Sequence, residues 1–556
     1  MRESVKKGLA LLLAAAMGLS LAACGRGGQN PDDLIPESSG GTDVMRKDAA
    51  DKVFTLNSVG RYSFNPLVAT SHANQLLCDL VFENMVELDN NFEIIEGAGL
   101  ITEWSCDETG KVWDFTIATD HVFHDGTPVT AKDLSYSLNL AINADRFKGR
   151  FSSFQGASYW GDDKLTVTLG IGDTQFVKLM NLPVIQLGSY GRELVINEEE
   201  GVKKNIPMGS GPYTFNEDAT ELHAYTEGYE GYRHPPVDTI YIAEYNDAES
   251  TISAFEDGLI DCVINDPSSY TNLGYASSNE IHSFATTNMH YLCFNEDSVL
   301  GRYSQFRIAL QYAFDRDYLV ELLHGNAVSS SLPMYPTCSA YSESLNNSLS
   351  FNMETCRRIL ESAGVRDYDE DGMLEYMSGS PQEIEFTVIV CADSSAKAGI
   401  VRKFQEDMAT IGFPVTVMEM TWDNYMKALE DGFVEVGSEE VTVDMYYGEV
   451  RLRNNFDITE ILQPRTKDNE ALNLNFTGSK DNNVVDIINR YLAASNAQRP
   501  TAFYDLCTYL TGTTGTLITI GFEKQQIITR RGVCKGIDAN IGNPLWNFSD
   551  WTIDLG

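Results

Sequence analysis

An α/β protein of more than one lobe is the architecture this sequence predicts, on three observations. From Pro381 onward, runs of strand period alternate with runs of helix period, the order that builds parallel pairs covered by helices. Roughly 500 residues follow a polar N-terminal stretch, and 43% of the chain is hydrophobic, which is ample for large cores and too long for one. The earlier part of the chain carries strand runs punctuated by Gly and Pro, with helical runs between them.

The chain opens MRESVKKG and continues LALLLAAAMGLSLAA, a basic start and an apolar run ending in small residues, as in a secretory signal. The run is shorter than the ~20 residues that cross a hydrocarbon layer. It ends in Leu21-Ala22-Ala23-Cys24, which resembles the lipobox of bacterial lipoproteins. The resemblance implies a signal peptide over 1–23 and a lipidated Cys24, since acyl chains hold a protein to a membrane without a spanning helix. Residues 24–51, with GRGGQNPDD and PESSGGTD, read as a flexible tether.

In the body, KVWDFTIATDHVFHDGTPVT (111–130) predicts a strand, a turn and a second short strand, with Trp113, Phe115 and Ile117 on one face. Thr130, three residues before Asp133, caps a helix carrying Leu134, Leu138 and Ala141. DKLTVTLG (163–170) is strand-like, and PMGSGPYTF (207–215) is a glycine turn entering a strand. Residues 296–378 read as mostly helical. EIEFTVIV places Ile384, Phe386, Val388 and Val390 on one face. Helix 396–412, strand 413–420 and a helix capped by Thr421 follow.

Composition excludes several functions. The net charge is −40, and loss of Arg2, Lys6, Lys7 and Glu3 with the signal takes it to −42, a surface that repels nucleic acid and anionic lipid. Besides Cys24, nine cysteines remain without a CxxC pair; Cys293 and Cys391 lie in apolar strand runs as small core residues. The eight histidines form no HExxH, GxSxG is absent, and PMGSGP and GTTGTL lack the Lys-Ser/Thr of a phosphate loop. His121 and His124 are the one close pair and border a turn. DYDEDGMLEY sets Asp367, Asp369, Asp371 and Gly372 at positions 1, 3, 5 and 6 of a calcium loop, but Ser378 stands where the bidentate Glu belongs, so a solvated acidic turn is the better reading. No cofactor is expected.

Four pieces together, VFHDGTPVTAKDLSYSLNLA (122–141), PMGSGPYTF, HYLCFNEDSVLGRYSQFRIALQYAFDRDYLVELLHGNA (290–327) and FNMETCRRILESAGVRDYDEDGMLE (351–375), resemble the extracytoplasmic family 5 solute-binding lipoproteins of peptide and nickel ABC transporters. The likeness runs from about residue 52 to the C-terminus. It implies a two-lobed clamp of the periplasmic-binding-protein type with mixed sheets and packed helices. Lobe 1 would comprise 52–75, 187–292 and 515–556, the extra domain 76–186, and lobe 2 293–514. YLCFN (291–295) and TLITI (516–520) would cross between lobes, with Tyr291, Phe294 and Asn295 as hinge candidates.

The implied function is capture of a short peptide between the lobes and its delivery to an ABC permease, by a monomer anchored on the outer face of the membrane, without enzymatic chemistry. Other solutes (an oligosaccharide, a nickel chelate, another small polar solute) and a sensory or adhesion role remain open on the same scaffold. In peptide-binding members an aspartate after a Gly-Gly-Trp segment holds the ligand amine; here the matching stretch is VDMYYGEVRLRNNFD (443–457), where Gly448 matches, Glu449 and Val450 replace aromatics, and Arg451 sits near the expected carboxylate. A buried amine facing Arg451 would be repelled. Either Glu449, Asp444 or Asp457 takes the amine, or the ligand presents an anionic or sugar-like group. Tyr62 and Asn65, in VGRYSFNPL, and Tyr446 and Tyr447 are further ligand candidates, and alternation lets one of the two strand tyrosines face the cleft.

Overall fold

The computed structural model describes residues 53–60, 62–147, 149–189, 206–228, 235–267 and 279–556. The expected signal peptide, Cys24 and the tether lie outside them. No helix among the described residues is long and apolar enough to cross a membrane.

One eleven-stranded mixed sheet organises the body. Ten of its strands are β1 (Thr55–Ser58), β2 (Tyr213–Phe215), β3 (Glu221–Ala224), β4 (Thr239–Glu244), β5 (Cys262–Asn265), β6 (Asn279–Phe294), β7 (Thr387–Cys391), β8 (Thr416–Met420), β9 (Met445–Arg451) and β10 (Leu517–Arg530). They lie in the order β8-β7-β9-β6-β10-β5-β1-β4-β3-β2, with Ala327–Ser329 paired to β10 off this path. β7 and β8 are parallel, as the alternation after Pro381 requires, and the helices Ser395–Ala409 and Trp422–Asp431 follow them. Ile384, Phe386, Val388 and Val390 are all buried in one cluster, whereas Ile389 points into another. The helix at 422 starts at Thr421, but the Thr421 side chain makes no capping hydrogen bond there, so position alone marks that end.

Among the described residues the two halves of the sheet are joined through β6 and β10, its two longest strands. β10 pairs with β5 near its end, and β6 pairs with β9 from Asn288 to Phe294. The register between β6 and β10 breaks between Ala285 and Met289. There the Thr286 hydroxyl donates to the Glu523 carbonyl (2.8 Å) and the Thr287 hydroxyl to the Leu452 carbonyl (2.6 Å), so side chains take over ladder bonds where the strand bends. Tyr291, Phe294 and Asn295 lie beyond this break: Tyr291 and Phe294 are buried, and the Asn295 amide donates to the Val443 carbonyl (2.8 Å).

A separate four-stranded antiparallel sheet, in the order Ile101–Cys106, Val112–Ile117, Lys164–Leu169 and Phe154–Trp160, packs under the helix Ala131–Ala141. Trp113, Phe115 and Ile117 face its core as their alternation predicts, while the second short strand expected after them reduces to one bridge, Val122 to Pro128. The helix begins with a capping box, in which the Thr130 N–H (2.9 Å) and hydroxyl (2.6 Å) both donate to Asp133. The 296–378 stretch contains helices at Ser304–Leu310, Asp317–Leu322, Glu343–Ser348 and Met353–Ser362, shorter than the periodicity suggests and interrupted by strand Ala327–Ser329. All nine cysteines after Cys24 are free, with Cys293 and Cys391 buried.

Candidate functional site

A pocket of about 210 Å³ is lined by several chain segments, three of which supply all its charged and histidine side chains. The helix α1 (His72–Val81) contributes His72, Gln75 and Asp79, spaced three and four residues apart and so on one face. The turn after the helix Ala131–Ala141 contributes Arg146, Phe147 and Arg150. The end of β9 and the segment after it contribute Arg451, Arg453 and Glu460.

Four arginines therefore line one small pocket of an acidic protein. Arg146 and Arg150 both lie over the Phe147 ring, 5.2 and 4.8 Å from its centroid, which fixes their stems. The Arg146 guanidinium donates to the Pro66 carbonyl, and that of Arg150 to the Asn181 carbonyl (2.7 Å). Arg453 is paired with Asp457 and lies 3.9 Å from Glu460. The Arg451 side chain is exposed and lines the pocket, and no hydrogen bond or ion pair joins its guanidinium to any described residue.

The electrostatics follow from this crowding. Burial, then the charges of Arg451, Arg146 and Arg453, pull the Arg150 guanidinium down to about 9. Burial and Arg146 lower Arg451 in the same direction. Burial, with Arg451 and Arg146 adding to it, holds the His72 imidazole below its ordinary value. Burial pushes Asp79 up to about 8 against the opposing pull of Arg146, and raises Glu460 despite Arg453. Guanidinium groups thus outnumber carboxyl groups in the lining, four to two.

Of the expected ligand contacts, Arg451 lines this pocket and the others do not. Tyr446 and Tyr447 are both buried: Tyr446 packs against Phe476, and the Tyr447 hydroxyl meets His290 Nδ1 at 2.8 Å. His290 Nε2 contacts Glu523 at 2.8 Å, a fully enclosed pair beside the strand break. Glu449 is held by Lys397, which also reaches Asp393 at 3.1 Å. Asp444 is buried, accepts the Thr387 N–H (2.9 Å), and is pushed up to about 6 by burial. Asp457 pairs with Arg453 and accepts the Thr459 N–H (2.9 Å). Each of the three carboxylates weighed for a ligand amine is therefore engaged within the protein.

Asn65 is buried and makes a local turn by accepting the Leu67 N–H (3.0 Å), leaving the neighbouring Pro66 to face the pocket; Tyr62 is half-buried outside it. Sequence reading passed over Arg146, Arg150 and Arg453. Their signal is the local basic density of DRFKGRF and RLR in a chain with twice as many acidic as basic residues.

The other sequence candidates separate cleanly from the pocket. His121 contacts Glu83 at 2.7 Å and His124 the Gly211 carbonyl at 3.0 Å, so the two rings serve different partners. In the acidic loop the convergent carboxylates are Asp367, Asp369 and Glu375, within 4.8 Å, while Asp371 instead accepts the Met373 N–H (2.8 Å).

A polar pocket beside a mixed sheet whose halves are joined by two long strands fits the architecture of hinged two-lobe proteins. The chain belongs to the bacterial extracellular solute-binding proteins, family 5, whose model matches residues 97–458. It is 22% identical over 382 residues to the oligopeptide-binding protein AppA of Bacillus subtilis, covering 66% of this chain and 69% of that protein. Its fold is similar to that of NikZ from Campylobacter jejuni, solved in complex with Ni(L-His), at a TM-score of 0.64 and 18% identity over 90% of this chain and 99% of the other. It is similar as well to AppA from Bacillus subtilis in complex with a nonapeptide, at a TM-score of 0.61 and 18% identity over 92% and 100%. Membership makes this an extracytoplasmic, non-enzymatic solute-binding protein of ABC transport, for peptides or related ligands.

Proposed function

We propose that the chain is the membrane-tethered receptor of an ABC importer, which captures a short peptide or peptide-sized polar solute in the arginine-lined pocket and passes it to the permease. Signal peptide 1–23 is removed, Cys24 carries the lipid, and 24–51 spaces a monomeric body from the outer face of the membrane. Segments 52–75, 187–292 and 515–556 act as lobe 1 with 76–186 attached, 293–514 act as lobe 2, and β6 and β10 carry the closing motion.

The observation that supports this reading is Arg451, an unpartnered guanidinium facing the pocket from β9. Because Glu449, Asp444 and Asp457 are all engaged, the ligand group met here is a carboxylate rather than an amine. Peptide cargo is favoured by the similarity to a protein named for oligopeptide binding. Native mass spectrometry of freshly purified protein, then calorimetry with the released solute and with a pool of di- to hexapeptides, tests it. A co-purified peptide series that binds with Arg451-dependent heat is expected; one non-peptide mass with no heat from any peptide refutes the peptide assignment.

A further inference from the structure

We propose that the cargo is a compact polyanion, a solute with two or more carboxylate or phosphate groups gripped between Arg146 and Arg150 on one side and Arg451 on the other. This rests on the receptor reading above and specifies its substrate class.

Three observations carry it. The first is placement: the arginines arrive in two sets from segments about 300 residues apart in sequence, and both sets line the same pocket. One anionic group would satisfy one set and leave the other facing like charge.

The second is the composition of the lining, four arginines against two carboxyl groups, Asp79 and Glu460. Asp457 neutralises Arg453 within the protein. Of the two carboxylates lining the pocket, Asp79 keeps its proton up to about 8, and Glu460 lies beside Arg453. The Arg451 guanidinium has no hydrogen-bond or ion-pair partner among the described residues. Guanidinium groups crowded where water is restricted repel more strongly than in bulk solvent, and they are relieved by planar oxyanions able to take two N–H bonds from each fork.

The third is size. A pocket of about 210 Å³ is below the usual ~300–1,000 Å³ of small-molecule sites. Dense charge in small volume suits a di- or tricarboxylate, an acidic dipeptide or a small phosphate ester, and disfavours a long neutral peptide.

The test uses full-length protein made soluble by Cys24→Ser. Thermal unfolding is followed with tricarballylate, Glu-Glu, glycerol phosphate and inorganic phosphate, against Ala-Ala and Lys-Lys, and binders are titrated by calorimetry at ~50 and ~300 mM NaCl. Polyanions should raise the midpoint, the dipeptide and phosphate arms separating the two sources of charge, and their affinity should fall with salt. Arg451→Gln should weaken binding about tenfold or more, while the unliganded variant melts at or above the parent temperature, because an uncompensated charge has gone. A merely structural Arg451 would lower that midpoint instead. If Ala-Ala binds as well as Glu-Glu and ignores Arg451→Gln, the polyanion inference falls and the receptor reading stands. If none of the multivalent anions binds, the inference also falls; if in addition no solute binds or co-purifies, the receptor reading falls with it.

Discussion

Gly448→Ala adds a single methyl group at a crowded point of the sheet, and its cost can be worked from the pairing of β6 with β9. Gly448 stands opposite Tyr291, and a Cβ built on it would lie 2.4 Å from Tyr291 Cζ, 2.6 Å from its hydroxyl oxygen and 2.7 Å from Cε1. Ordinary contact needs about 3.4 Å or more, so the ring must retreat by about 1 Å from a site where it is only 3% exposed. Overpacking on this scale costs about 1–3 kcal/mol. Tyr291→Ala alone, which empties a ring-sized space, should cost about 3–5 kcal/mol. With the ring gone the three atoms nearest the methyl are gone too, so the double variant should be less destabilised than the sum by about 1–3 kcal/mol. Urea unfolding followed by tryptophan fluorescence on all four proteins measures the cycle. Additive effects, or Gly448→Ala within about 0.5 kcal/mol of the parent, would refute the claim that the glycine exists to admit the tyrosine ring.

Three further outcomes are expected. Cys24→Ser should move the protein from the membrane fraction to the soluble one, because a body near −42 has no attraction for anionic lipid; retention in high salt would point to another anchor. Thr130→Ala should cost about 1 kcal/mol in urea unfolding, and Asp133→Ala more, since Asp133 also accepts the Leu187 N–H (2.8 Å) and its loss strands buried donors; equal costs would argue against that account. Asp79 holds its proton in the folded state up to about 8 but loses it near 3.8 when unfolded, so the native state binds more protons and stability declines as pH rises through that window. Asp79→Asn should therefore raise the urea midpoint more at pH 8 than at pH 5, and an equal shift at both would show that the carboxyl is ionised throughout.

Local chemistry made much of this protein readable from its residues. Alternation placed Trp113, Phe115 and Ile117 in one core and Val388 and Val390 in another, because a strand's period of two decides which side chains share a face. The Thr130–Asp133 box announced a helix start, since its bonds close within three residues. The same local rules failed where partners come from afar. Tyr446 and Tyr447 look alike in sequence as cleft walls, but each is buried in a different core cluster, and His290 takes the Tyr447 hydroxyl. Glu449 offers a charge for a ligand amine until Lys397, 52 positions away, claims it. The pocket itself is a product of tertiary structure: Arg146 and Arg451 acquire a common role only because packing brings the turn after one helix against the end of a distant strand. Charge interactions depend on distance and surrounding solvent, and neither is written in the order of residues.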